Sequence, residues 1–90
     1  MIKVSDPVLY ANRFFDFRAG LVKVSLCKAG DMYDILVESL NIACLEKAKK
    51  MLNSEQVIYK RGYFNSPFFV FDSFSSVDDA MCVFLKLELK

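Results

Sequence analysis

From Leu21 to Glu38 the chain alternates apolar and polar residues on both sides of Ala29-Gly30. That pattern commits these residues to a β-hairpin, because strand side chains repeat every two residues and one apolar face must be buried. Pairing Lys28 with Asp31 sets the expected register. Leu26 then faces Tyr33, Val24 faces Ile35 and Val22 faces Val37, all on one side. The other side carries Cys27 opposite Met32, Ser25 opposite Asp34 and Lys23 opposite Leu36. Ala-Gly is not the best two-residue turn, since alanine resists positive φ, and a slightly wider loop keeps the same pairing.

The elements on either side follow from similar periodicities. "PVLYANRFFDF" reads as a preceding strand, with Leu9, Ala11, Phe15 and Phe17 on one side, Arg13 interrupting them, and Tyr10, Asn12, Phe14 and Asp16 on the other. After the hairpin, "NIACLEKAKKML" has Asn41 as N-cap and a stripe of Leu45, Ala48 and Leu52 flanked by Cys44 and Met51, which predicts a helix. Glu46 and Lys50 stand four apart in the favourable order, and Asn53-Ser54 ends the pattern. "QVIYKRGYF" and "PFFVFDSF" read as a second strand pair joined near Asn65-Ser66-Pro67. A second helix opens at Ser75 or Ser76, with Asp78 and Asp79 in the first turn where the helix dipole favours them. Val77, Ala80, Met81 and Phe84 share its apolar face. Residues 85–90 alternate as a strand would, so helix and strand both stay open there.

The expected order is β-β-β-α-β-β-α over a single domain spanning residues 1–90. The fold class is α+β: a two-layer sandwich of about five antiparallel strands with two helices on one face.

Composition narrows what such a domain does. Net charge is +1 and 54% of residues are hydrophobic, so no strong field draws the chain to nucleic acid or an anionic membrane. The longest unbroken apolar run, Ala80 to Leu85, falls far short of the about 20 residues a helical span needs. Asp6 and Pro7 stand where a secretory leader would be apolar. The three cysteines, Cys27, Cys44 and Cys82, are odd in number and widely spaced, which fits reduced thiols in the cytoplasm rather than a disulfide or zinc framework. There is no histidine, and so neither the commonest general base nor a Cys-His or Ser-His pair. No phosphate-binding glycine loop or nucleophile elbow is present. Asp78 and Asp79 point about 100° apart on a helix and cannot share a proton. Cys27 would be reactive only if exposed beside Lys23 or Lys28. The expectation is a protein that is not an enzyme and has no cofactor or metal.

Two binding readings remain. Rings and aliphatics occur on both sides of the strands, and two helices cover only one side of a sheet. Phe69, Phe71 and Phe74 are expected in the core and Phe68 partly exposed. Tyr10, Phe14, Met32, Leu36 and Phe68 then form an open face for a protein partner or a second copy, giving a homodimer. Such a chain is of the type seen in inhibitors or adaptors of larger machines, among them phage and mobile-element accessory proteins. The alternative is RNA or single-stranded nucleic acid, held by Lys60, Arg61, Tyr63 and Phe64 with the lysines of the first helix, Lys47, Lys49 and Lys50, cations on phosphates and rings on bases.

Overall fold

The computed structural model describes residues 8–59 and 66–89. Strand β1 (Val8–Phe17) turns at Arg18-Ala19 into β2 (Gly20–Ala29), which turns at Gly30-Asp31 into β3 (Met32–Glu38). Helix α1 (Ile42–Met51) crosses over, β4 (Phe68–Phe74) returns antiparallel to β3, and α2 (Val77–Lys86) follows. Among the described residues the sheet has four strands in the order β1-β2-β3-β4.

The hairpin register is two residues from the expected one. Lys28 pairs with Tyr33, Leu26 with Ile35 and Val24 with Val37. The turn is Gly30-Asp31 rather than Ala29-Gly30, because its first position needs positive φ and Gly30 supplies it at +62°. A positive-φ glycine followed by a residue of ordinary φ has the sign pattern of a type II′ hairpin turn, whose twist matches the strands. A shift of two preserves parity, so Val22, Val24, Leu26, Ile35 and Val37 all still point into one core and are fully buried.

Both helices close over that same side. Cys44, Leu45 and Ala48 of α1 and Ala80 and Phe84 of α2 join the core, with Phe69 of β4 among them. Phe71 and Phe74 are half-buried and pack against its margin. The middle of β4 carries a bulge: Val70 pairs with Leu36 and Asp72 with Ile35, leaving Phe71 as the extra residue. Val77, expected on the buried face of α2, is exposed. Beyond α2 the backbone turns extended at Leu87 without joining the sheet. Leu87 and Leu89 nonetheless reach the core, with Glu88 pointing outward between them.

The ends of α1 are built as its residues require. The Asn41 Oδ1 accepts from the Ala43 N–H at 2.9 Å, and Asn41 Nδ2 donates to the Ala19 carbonyl at 3.0 Å. One asparagine thus caps the helix and ties it to the β1–β2 turn. Ser39 does similar duty, donating from Oγ to the Leu21 carbonyl at 2.7 Å and accepting from the Asn41 N–H at 3.2 Å. At the other end Asn53 adopts φ +52°. Its N–H donates to the Lys50 carbonyl and that of Ser54 to the Lys49 carbonyl, each at 3.0 Å. That pair of bonds is the Schellman motif.

The expected fifth strand is the main departure. Among the described residues only Tyr59 belongs to it, bridging Phe68 by two backbone bonds of 2.7 and 2.9 Å. Residues 60–65 lie outside the described part. On its other side β4 takes β3 as its ladder partner, which sets Phe69 beside Val37 in the core. Ile58 likewise turns to the helix-side core rather than into a ladder. No helix among the described residues is long and apolar enough to cross a membrane.

Candidate docking groove

The five residues expected to form an open face do not gather. A bulge in β1 between Leu9 and Ala11 leaves Tyr10 as the extra residue. Tyr10 then stacks on Tyr33, with ring centroids 5.7 Å apart, on the helix side of the sheet. Leu9 takes the opposite side, paired with Cys27. The bulge thus exchanges the expected sides of these two residues. Leu36 (3% exposed) and Phe68 (4%) are buried, making a small second cluster with Cys27 on the face away from the helices. Val70 packs against it, and the Tyr59 ring lies over Phe68 at 5.4 Å. Phe68, expected partly exposed, is therefore interior. Of the five, Phe14 and Met32 are the ones that remain exposed on this face. Lys23 and Ala29, their cross-strand partners, are six residues apart on β2, so the two side chains stand about 20 Å from one another.

Phe14 does have neighbours, and they are ones the alternation did not single out. Next to it, where the β1–β2 turn meets the entry to α1, lies a groove of about 930 Å³. Its apolar rim is Phe14 (60% exposed), Leu21 (53%), Leu40 (86%) and Ile42 (41%). Leu40 is the most telling of these. It occupies the position before the N-cap, from which an apolar residue usually packs against the fourth helical residue. That residue, Leu45, is fully buried in the core, yet Leu40 projects into solvent. The signal was present in "SLN": a leucine between two capping residues has no place on either strand or helix face.

The floor of the groove is polar and internally paired. Lys23 Nζ lies 3.5 Å from Glu38 Oε1, and Ser66 Oγ donates to Glu38 Oε2 at 2.7 Å. The Glu38 side chain is almost wholly buried there, and the ammonium and hydroxyl give it the partners a buried carboxylate requires. Gly20 packs beneath, a Cβ there meeting Asn41 at 3.6 Å and Cys44 at 3.7 Å.

Other candidate groups are placed without converging. Burial, with Glu38 and Asp34 nearby and Lys23 opposing them, pushes the Cys27 thiol from 9.0 up to about 11. At neutral pH it is a protonated apolar filler rather than a nucleophile. Asp34 accepts from Ser73 Oγ at 2.7 Å. No three cysteine or carboxylate side chains among the described residues gather as a metal ion would require. Lys60, Arg61, Tyr63 and Phe64 lie outside the described residues. On α1, Lys47, Lys49 and Lys50 border a shallow hollow of about 510 Å³ that also includes Glu46, and Lys47 Nζ sits 5.5 Å from the Phe17 ring. No protein family, curated protein or solved structure matches this chain.

Proposed function

We propose that this protein is a non-enzymatic binding module, seating an apolar segment of a protein partner in the groove of Phe14, Leu21, Leu40 and Ile42. The observation that carries this reading is Leu40, an aliphatic side chain left almost entirely in water beside three other exposed apolar residues. Burying a leucine or phenylalanine contributes roughly 1.5–3 kcal/mol each, and a few such anchors dominate protein interfaces. The Lys23–Glu38–Ser66 cluster, with Glu38 and Ser66 buried, gives the groove a fixed floor. Such a module acts by occupying or bridging a larger machine, as an inhibitor or adaptor does. Its unpaired thiols, with Cys82 exposed, suit the reducing conditions of the cytoplasm.

The test is capture from native lysate with the tagged chain, with and without nuclease, beside Leu40→Asp and Phe14→Ser. Both side chains are exposed, so neither change should unfold the protein. The expected result is a co-purifying protein that survives nuclease and is lost with either substitution. Capture that nuclease abolishes and Leu40→Asp leaves intact would put nucleic acid in its place.

A further inference from the structure

Strand β1 has β2 on one side, and among the described residues no backbone group pairs with its other edge. Ten residues of open edge are long for a sheet, and proteins ordinarily shield such an edge or use it. The backbone groups on offer follow from the turn. Arg18-Ala19 is a two-residue loop, so its flanking pair, Phe17 with Gly20, exchanges both backbone bonds. Alternation along an antiparallel ladder then sends the N–H and C=O of Asp16, Phe14 and Asn12 outward.

We infer that β1 pairs edge to edge with β1 of a second copy, antiparallel about a two-fold axis at Phe14, joining two four-stranded sheets into one. The register comes from the strand itself. Beyond the bulge the regular part of β1 runs from Ala11 to Phe17, and Phe14 is its middle residue. Centring there uses every regular residue of both copies. It sets Phe14 against Phe14, and Asn12 against Asp16 at both ends, an amide donor facing a carboxylate. Arg13 falls opposite Phe15. Neighbouring registers fit less well. Centring on Arg13 sets two guanidinium-bearing residues directly opposite, an unfavourable cross-strand pair. Centring on Phe15 places each Asp16 against Phe14. Centring on Asn12 drives the bulge into the ladder. The pairing is independent of the foreign-docking reading, although Phe14 belongs to both surfaces.

The test is the concentration dependence of mass by sedimentation equilibrium, with substitutions at exposed Asn12. The mass is expected to rise from that of one chain toward two. Asn12→Asp, which opposes two carboxylates at each end, should weaken the association about tenfold, and Asn12→Lys should tighten it about as much. The amides of Asn12, Phe14 and Asp16 should gain protection from hydrogen exchange as concentration rises. Leu40→Asp should leave the dimer unchanged even where it abolishes capture of a foreign protein. A single-chain mass at every concentration overturns the pairing. So does a dimer that responds to Leu40→Asp and to neither Asn12 substitution, or outward amides that exchange equally fast throughout.

Discussion

The Arg13 guanidinium donates to the Leu87 carbonyl at 2.7 Å, joining the middle of the first strand to the chain 74 residues later. The same nitrogen reaches the Phe84 carbonyl at 3.0 Å, so Arg13 serves the unpaired carbonyls at the end of α2. A cation is well placed there, where the helix dipole is negative. Its guanidinium carbon also lies 5.0 Å from the centroid of the Phe15 ring and 6.0 Å from that of Phe84. Arg13→Met should lower stability by about 2 kcal/mol, since bonds to a charged donor are lost while the carbonyls stay partly covered. Arg13→Lys should recover less than half, because an ammonium lacks the planar fork and the stacking. Glu88→Gln should change little: its contact with Arg13 is long, at 3.8 Å, and more than half exposed, and such pairs contribute less than about 1 kcal/mol. Urea midpoints of the three variants check the order.

Two turn positions, Gly30 and Asn53, carry positive φ, and both should lose stability to alanine. Gly30 has no atom within 4 Å of a Cβ built on it, but its φ is +62°. Gly30→Ala therefore costs backbone strain alone, about 1 kcal/mol, and Gly30→Asn costs less. Asn53 closes the Schellman motif at +52°, so Asn53→Gly should be neutral or stabilising and Asn53→Ala destabilising by about 1 kcal/mol. Thermal midpoints of the four variants give the comparison. Equal effects of alanine and asparagine at Gly30 would mean that another residue makes the turn.

These positions also show which parts of the fold were legible. The faces of β2 and β3 were, because a slip of two residues leaves side-chain parity intact and only a slip of one would expose Val22, Val24 and Leu26. The turn itself was misplaced, since alternation is symmetrical about it and only the sign of φ at Gly30 separates the two choices. The cap at Asn41 could be read because the N–H it accepts from, that of Ala43, is local, whereas its tie to Ala19 could not. Arg13 could not, because its partners lie at the far end of the chain. The bulge at Tyr10 was hidden for a related reason: an extra residue reverses the two sides locally without changing composition. The groove escaped because its rim comes from two strands and a helix entry, and no single periodicity runs through Phe14, Leu21, Leu40 and Ile42.

Cysteine chemistry offers a pH signature. Cys27 and Cys44 are buried and Cys82 is exposed. A thiol reagent at pH 8 should label Cys82 in the folded chain and reach the other two only in denaturant. Folding raises the Cys27 thiol from 9.0 to about 11. Between those values the folded chain holds a proton that the unfolded chain has released, so stability falls as pH rises. The contribution is intact below about pH 9 and is lost progressively toward pH 11. Cys27→Ala should flatten that decline, read as the difference in urea midpoint between the two proteins across the window.

Under the groove, Glu38 is held by Lys23 at 3.5 Å and Ser66 at 2.7 Å. Removing only the cation leaves a buried carboxylate with one neutral donor, so Lys23→Met should be destabilising by about 2 kcal/mol, moderated because Lys23 itself is about one-third exposed. Glu38→Gln keeps an acceptor for Ser66 and needs no counter-charge. The pair Lys23→Met with Glu38→Gln should therefore regain most of the loss, giving a coupling energy of about 1 kcal/mol or more in a double-mutant cycle. The same four proteins separate shape from charge in docking. If the floor acts only by holding Phe14, Leu21, Leu40 and Ile42 in place, the double variant captures the partner as the parent does. If the partner instead presents a charge to Lys23, capture stays lost after stability has returned, and the groove reads a mixed apolar and acidic segment.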